Sequence, residues 1–233
     1  MNVVDYVILG IVGVSMLFGL YRGFVASVLN TGGCLVSLGL SFWLYPKASE
    51  LIRSNVDLQR ILLTYTDASS RIGDLNTAVT TAGNLSAQGI QDVLNKVQLP
   101  APMAEILQKN LVDKVYGSTA TVSSYVSQTV LSTSVSILCF LITFVLLYIV
   151  ISLAISIIKA VFRFPVLKQM DSLAGGVFGI LRGMIFVFAL FALVPLVQTV
   201  VPIDAVTDLI SESTLSGLFN SGVLVKAIMN GGL

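Results

Sequence analysis

Four long apolar runs organise the chain. They are Val3 to Leu20, Phe24 to Tyr45, Val135 to Ile158 and Leu173 to about Val197. Each is near the roughly 17–25 residues that a helix needs to cross a bilayer. Arg22-Gly23 separates the first run from the second, and Pro46 is the expected stop of the second. Lys159, Arg163, Pro165 and Lys168 form the connection between the third and fourth, and Pro195 and Pro202 are expected to end the fourth. One polar cluster, Asn30-Thr31-Gly32-Gly33, interrupts the second run. It reads either as a packing face with a slight kink or as a flexible point or polar lining.

The pattern between the runs is different. Residues 46–132 carry balanced acidic and basic side chains among many Ser, Thr, Asn and Gln. Leu51, Leu58, Ile61, Leu62 and Tyr65 recur at helical spacing, and Ile106, Leu107, Asn110, Leu111 and Val115 do so less cleanly. Two or three amphipathic helices are expected, separated near Gly73, Gly83 and Pro100-Ala101-Pro102. Alone they would bury little, so they should lie on the membrane surface or on each other. The tail has apolar positions spaced for one or two short amphipathic helices. The expected organisation is an all-α integral membrane protein. It has a transmembrane hairpin over 1–45, a polar extramembrane insert over 46–132, a second hairpin over 133–198 and an amphipathic tail over 199–233.

Composition agrees with that class. Of the 233 residues 55% are hydrophobic and only 11% charged, whereas soluble domains carry about 25% charged residues. A net charge of +1 gives no basic stripe for nucleic acid. Histidine is absent, which removes the commonest general base, the commonest metal ligand and every Ser-His or Cys-His pair. Neither an enzyme nor a cofactor is expected. Cys34 and Cys139 lie inside apolar runs and read as packed free thiols. No basic residue precedes the first run and no small-x-small site follows it, so it reads as a retained span.

One motif occurs twice. Phe18-Gly19-Leu20-Tyr21-Arg22-Gly23 and Phe178-Gly179-Ile180-Leu181-Arg182-Gly183 share glycines and arginine in one register. Adding Ser15 and Gly175 gives small residues at i, i+4 and i+8 in both: Ser15/Gly19/Gly23 and Gly175/Gly179/Gly183. On a helix that spacing makes a groove in which another backbone can lie close. We read the repeat as an internal duplication of a two-helix unit, a plan common among transport proteins. It is imperfect, since a new span follows Arg22 while Arg182 sits within one.

Two kinds of charged position stand out. Asp5 opens the first span, where an acid suits the helix dipole. Arg182 falls about nine residues into the fourth span, where an arginine costs roughly 2.5–3.5 kcal/mol on insertion scales. It either ties the bundle together through carbonyls or an acid, or lines a polar cavity or partner contact. Basic residues concentrate in the two short connections, so the positive-inside rule puts these in the cytoplasm. Both termini and the insert then face outwards, and Arg22 and Asp171 share the cytoplasmic side.

Asp5 at the start of a span, Gly19-x-x-Arg22-Gly23-Phe24 at its end, and the late Asp171-x-x-x-Gly175-Gly176-x-x-Gly179-x-x-Arg182-Gly183 together resemble the bacterial colicin V production (CvpA) family. The resemblance covers the spans, roughly residues 1–45 and 133–198. It implies a multi-pass protein of the bacterial inner membrane, linked to toxin production or export and to envelope function. Three classes of activity follow. An accessory protein would contact the bilayer and a membrane-protein partner or a second copy, through its glycine faces and outer insert. A small transporter or channel component would line a polar path with Arg182 and Arg22. A membrane-embedded enzyme is disfavoured by the missing histidine, the lack of clustered carboxylates in the spans and the lack of a Gly-x-Ser-x-Gly elbow.

Overall fold

A computed structural model describes residues 2–54, 72, 74–161, 168–200, 204–219 and 221–229. Helix α1 spans Val3–Arg22 and α2 spans Phe24–Arg53. In the insert, α3 is Leu75–Val79, α4 is Ala87–Val97 and α5 is Ala101–Val112. Helix α6 runs over Val122–Val161 and α7 over Lys168–Phe191, followed by α8 (Val194–Val200), α9 (Asp204–Ser211) and α10 (Ser221–Met229). Among the described residues there is no strand, only an isolated antiparallel bridge between Thr81 and Thr121. Among the described residues, four helical stretches are long and apolar enough to cross a membrane: Val3–Arg22, Phe24–Arg53, Val122–Ile158 and Ser172–Gln198. This is a multi-pass helical membrane protein.

Gly23 makes the tight turn between α1 and α2. Its φ of 80° lies where a side chain is strained, and its N–H bonds to the Gly19 carbonyl at 3.0 Å. Gly23 therefore caps α1 rather than belonging to it. Pro46 does not stop α2, contrary to the sequence expectation. The ring removes one helical N–H, yet the helix continues through it to Arg53. Ser49 on the next turn donates to the Pro46 carbonyl at 2.7 Å, and both Tyr45 and Ser49 are buried by tertiary packing. Pro195 likewise does not end the fourth span. The helix breaks before it, at Ala192-Leu193, and Pro195 falls in the first turn of α8, where a missing N–H is harmless.

The expected pairing into hairpins is not what the packing favours. Helix α1 lies chiefly along α7, and α2 lies against both α6 and α7, while α1 and α2 touch far less. Gly33 explains the wedge of α2 against α6, because an added Cβ would stand 2.5 Å from Ile155 Cδ1 and 3.1 Å from Ile151 Cγ2. The Asn30-to-Gly33 cluster thus includes a packing face. Aromatic pairs Phe42–Phe140 and Tyr148–Phe186, at 4.8 and 4.9 Å, tie α6 to α2 and α7. Cys34 and Cys139 are buried free thiols.

The insert and tail build a core of their own. Helix α6 has 40 residues, about 60 Å at 1.5 Å per residue, twice the ~30 Å hydrocarbon thickness. Its first turns therefore project from the spans, and the insert packs on them rather than lying loose. Val93, Val97, Met103, Leu107 and Leu111 bury against Val122, Tyr125, Val126 and Val130. Tyr125 donates to the Gly117 carbonyl at 2.9 Å, and Asn110 donates to Thr129 at 2.9 Å. Leu224, Val225 and Ile228 of α10 join the same core. Tyr45 donates to the Ile228 carbonyl, and Lys226 pairs with Glu105. The expected helix around Leu58, Ile61, Leu62 and Tyr65 falls outside the described residues, and Leu51 belongs to the end of α2.

A local acid anchors α3 to α4. Asp74 accepts from the Thr77 hydroxyl, the Asn76 N–H and Lys96, which together hold its carboxyl below the usual aspartate range, the Thr77 bond most. A depressed pKa stabilises the fold above the ordinary value of about 3.9, and the effect is lost as pH falls through the lowered one. Amide protection over Leu75–Val79 should therefore decline on acidification. Asp74→Asn should flatten that dependence, as read by hydrogen exchange.

Candidate functional site

The two copies of the repeated motif meet. Helices α1 and α7 run antiparallel, and their small residues face each other along one seam. A Cβ on Gly19 would stand 2.2 Å from the Gly175 carbonyl oxygen, and one on Gly179 would stand 2.5 Å from that of Ser15. Further along, Gly183 faces Val12 and Gly175 faces Gly23. The contacts are mirrored. Ser15 opposes the counterpart of Gly19, and Gly19 opposes the counterpart of Ser15. Each groove is filled by the other, so the glycine faces are internal seams and not outward contact surfaces.

Hydroxyl groups stitch this seam to helix carbonyls. Ser15 donates to Gly179 at 2.7 Å, Thr31 of α2 to Phe178 at 2.9 Å, and Ser172 to Leu20 at 2.9 Å. Ser27 adds a bond to Gly19 at 3.3 Å. Such interhelical bonds average about 0.6 kcal/mol in membranes, so backbone packing carries most of the cohesion. Sequence reading treated Ser15 only as small. Its hydroxyl was the overlooked signal, because a serine in a glycine stripe adds a donor where two backbones are close.

Arg182 joins the same place. Its Nε donates to Ser15 Oγ at 3.1 Å, and the side chain is half-buried. Among the described residues this is the one hydrogen bond recorded for a group that has five N–H donors. A bond of that kind offsets only a fraction of the roughly 2.5–3.5 kcal/mol insertion cost. Its counterpart Arg22 is exposed at the end of α1, and opposite Arg22 the place of Ser15 is taken by Gly175. The repeat is symmetric in backbone and asymmetric in chemistry.

Asp5 belongs to a separate cluster at the other end of α1. It is fully buried. One carboxylate oxygen accepts from the Asn2 N–H at 2.8 Å, closing a capping box with Asn2. The other accepts from Ser213 Oγ at 2.6 Å and Leu215 N–H at 3.0 Å. The acid thus caps its own helix and also binds the tail. Asp171 lies in α7, but its side chain, and hence any contact with Arg22, falls outside the described residues. Among the described residues no cluster of three or more His, Cys, Asp or Glu is placed to hold a metal ion.

The sequence model for colicin V production protein matches residues 4–96 and 102–223. The chain belongs to the colicin V production protein family. The match spans most of the insert and much of the tail as well as the four spans, so the resemblance confined to 1–45 and 133–198 was too narrow. The insert and tail are therefore part of what this colicin V production family member shares with its relatives. No curated protein and no solved structure matches the chain.

Proposed function

We propose that this family member is a non-enzymatic accessory protein of the bacterial inner membrane, serving toxin production or export and envelope function by contacting membrane-protein partners. The observation that carries this reading is the closed α1–α7 seam. Both small-residue faces are occupied by each other, and the seam hydroxyls bond to carbonyls. The insert-and-tail platform is then the feature left to engage a partner. Exposed Val79, Val112 and Val115 on the insert supply apolar contact points. Positive charge in the short connections supports an orientation with this platform outside the cytoplasm. The Asp5–Ser213 bond and the Lys226–Glu105 pair support a shared side for N-terminus, insert and tail, because they join the tail to the other two.

One observation favours a second reading, a small transporter component. Arg182 keeps donors beyond its bond to Ser15, within a seam of inverted repeats. Quantitative proteomics of medium and membrane from a deletion strain tests both. Secreted peptides should fall, and wild type should restore them. Arg182→Gln should accumulate equally in the membrane yet restore less. An unchanged secreted set would end the export reading. Solute flux through reconstituted wild type, lost in Arg182→Gln, would put transport in its place.

A further inference from the structure

We propose that the slot between the insert-side ends of α1 and α7 binds one acyl chain of an amine-bearing phospholipid, with α9 as its roof. Val3, Val7, Ile11, Leu190, Phe191 and Leu209 form much of its lining, and every side chain there is apolar. The slot exists because the seam changes material along its length. Glycines bring α1 and α7 together near Gly19 and Gly175, whereas Ile8, Val187 and Phe219 fill the opposite end. Large side chains hold the helices apart there, and the tail closes the gap only in part.

The lining selects the occupant. The cavity holds about 290 Å³ and offers no polar side chain, so a single extended hydrocarbon chain suits it. Val3, Val7 and Leu190 are 65%, 56% and 47% exposed, so the mouth opens sideways on faces that lipid bathes. Nearby polar groups are engaged elsewhere: Asn2 bonds to the Leu209 carbonyl, and Asp5 bonds to Ser213 and Leu215. Charge selects the headgroup. The roof exposes Asp208 and, just beyond it, Glu212, and α9 has no basic residue. An ammonium headgroup complements those acids, and an anionic glycerol headgroup does not. This inference does not depend on the accessory reading above.

The full chain in phosphatidylcholine vesicles, carrying a trace of phospholipid with a diazirine in its acyl chain, tests the site. Adducts mapped by mass spectrometry should be several-fold enriched on Val3–Ile11 and Leu209–Ile210 over the lipid-facing stretch Val145–Val150. An ethanolamine probe should label the slot more than a glycerol probe. Val7→Trp should fill the slot and bring labelling down to the control level with helix content unchanged. If that variant does not fold, the unsubstituted map decides. Uniform labelling, or cross-links from position 7 to another polypeptide, would overturn the site. Equal labelling by both probes would overturn the headgroup preference.

Discussion

Gly19→Val should abolish the assembled bundle, and Gly10→Val should leave it intact. The two glycines lie on one helix, nine positions apart, with the same propensity penalty. Their surroundings differ. At Gly19 a Cβ would meet the Gly175 carbonyl oxygen at 2.2 Å and the Gly179 Cα at 3.0 Å. Both are backbone atoms of a helix that cannot rotate away. At Gly10 nothing lies within 4 Å. Relief at Gly19 requires α1 and α7 to separate, which also breaks the Ser15–Gly179 and Ser172–Leu20 bonds. Overpacking costs about 1–3 kcal/mol in adjustable cores, and a backbone clash should exceed about 3 kcal/mol. Monodisperse protein recovered in mild detergent, and its thermal midpoint, read the difference. Equal yields for both variants would refute the seam.

How much of this was legible in the chain depends on what kind of order each residue encodes. The spans were legible because hydropathy and length are local properties, and Asp5 was legible as an N-terminal acid because the dipole of its own helix is local too. The Ser15/Gly19/Gly23 stripe announced a close approach but not its partner. Any small-residue face fits any other, and that the partner was its own repeat is a tertiary fact. Pro46 misled for a related reason. Its local penalty is real, but burial of Tyr45 and Ser49 on either side of it outweighs one missing bond. The insert reads from sequence as lying on the membrane surface or on itself because the projecting turns of α6 look like part of the polar stretch. Once Val122, Tyr125 and Val126 are seen as a helical post, the apolar positions of α4 and α5 have a core to fill.

The repeat also shows how one arginine can become special within a symmetric frame. Arg22 and Arg182 arise from the same motif, yet among the described residues only Arg182 finds a hydroxyl, because Ser15 stands where its counterpart is Gly175. That counterpart cannot gain a side chain. A Cβ on Gly175 would stand 2.4 Å from the Gly19 carbonyl and 2.7 Å from the Gly23 carbon. The end of the seam nearest the Gly23 turn is too tight for a serine, so close packing and the lone Ser15–Arg182 bond have the same origin.

Asp5→Ala should release the tail and loosen the insert with it. The carboxylate is a common acceptor for Asn2 N–H, Ser213 O–H and Leu215 N–H among others, donors that would lose their partner in a largely enclosed site. Asp5→Asn should be nearly as damaging, since its amide offers one oxygen to several donors and turns an N–H₂ towards at least one of them. The effect should travel. Residues 213–219 connect to α10, which contributes Leu224, Val225 and Ile228 to the insert core and holds Glu105 through Lys226. Limited proteolysis around Glu212–Leu215 should speed up about tenfold or more, and the thermal midpoint of the insert should fall with it. Glu212→Gln, at an exposed neighbour, should change neither. Ser213→Ala removes one of these bonds and should give a smaller loss. Because both substitutions act on one contact, the double variant should lose less than the two single losses combined. Full additivity would mean that Asp5 acts only as the cap of α1, and that the tail is held by its apolar residues alone.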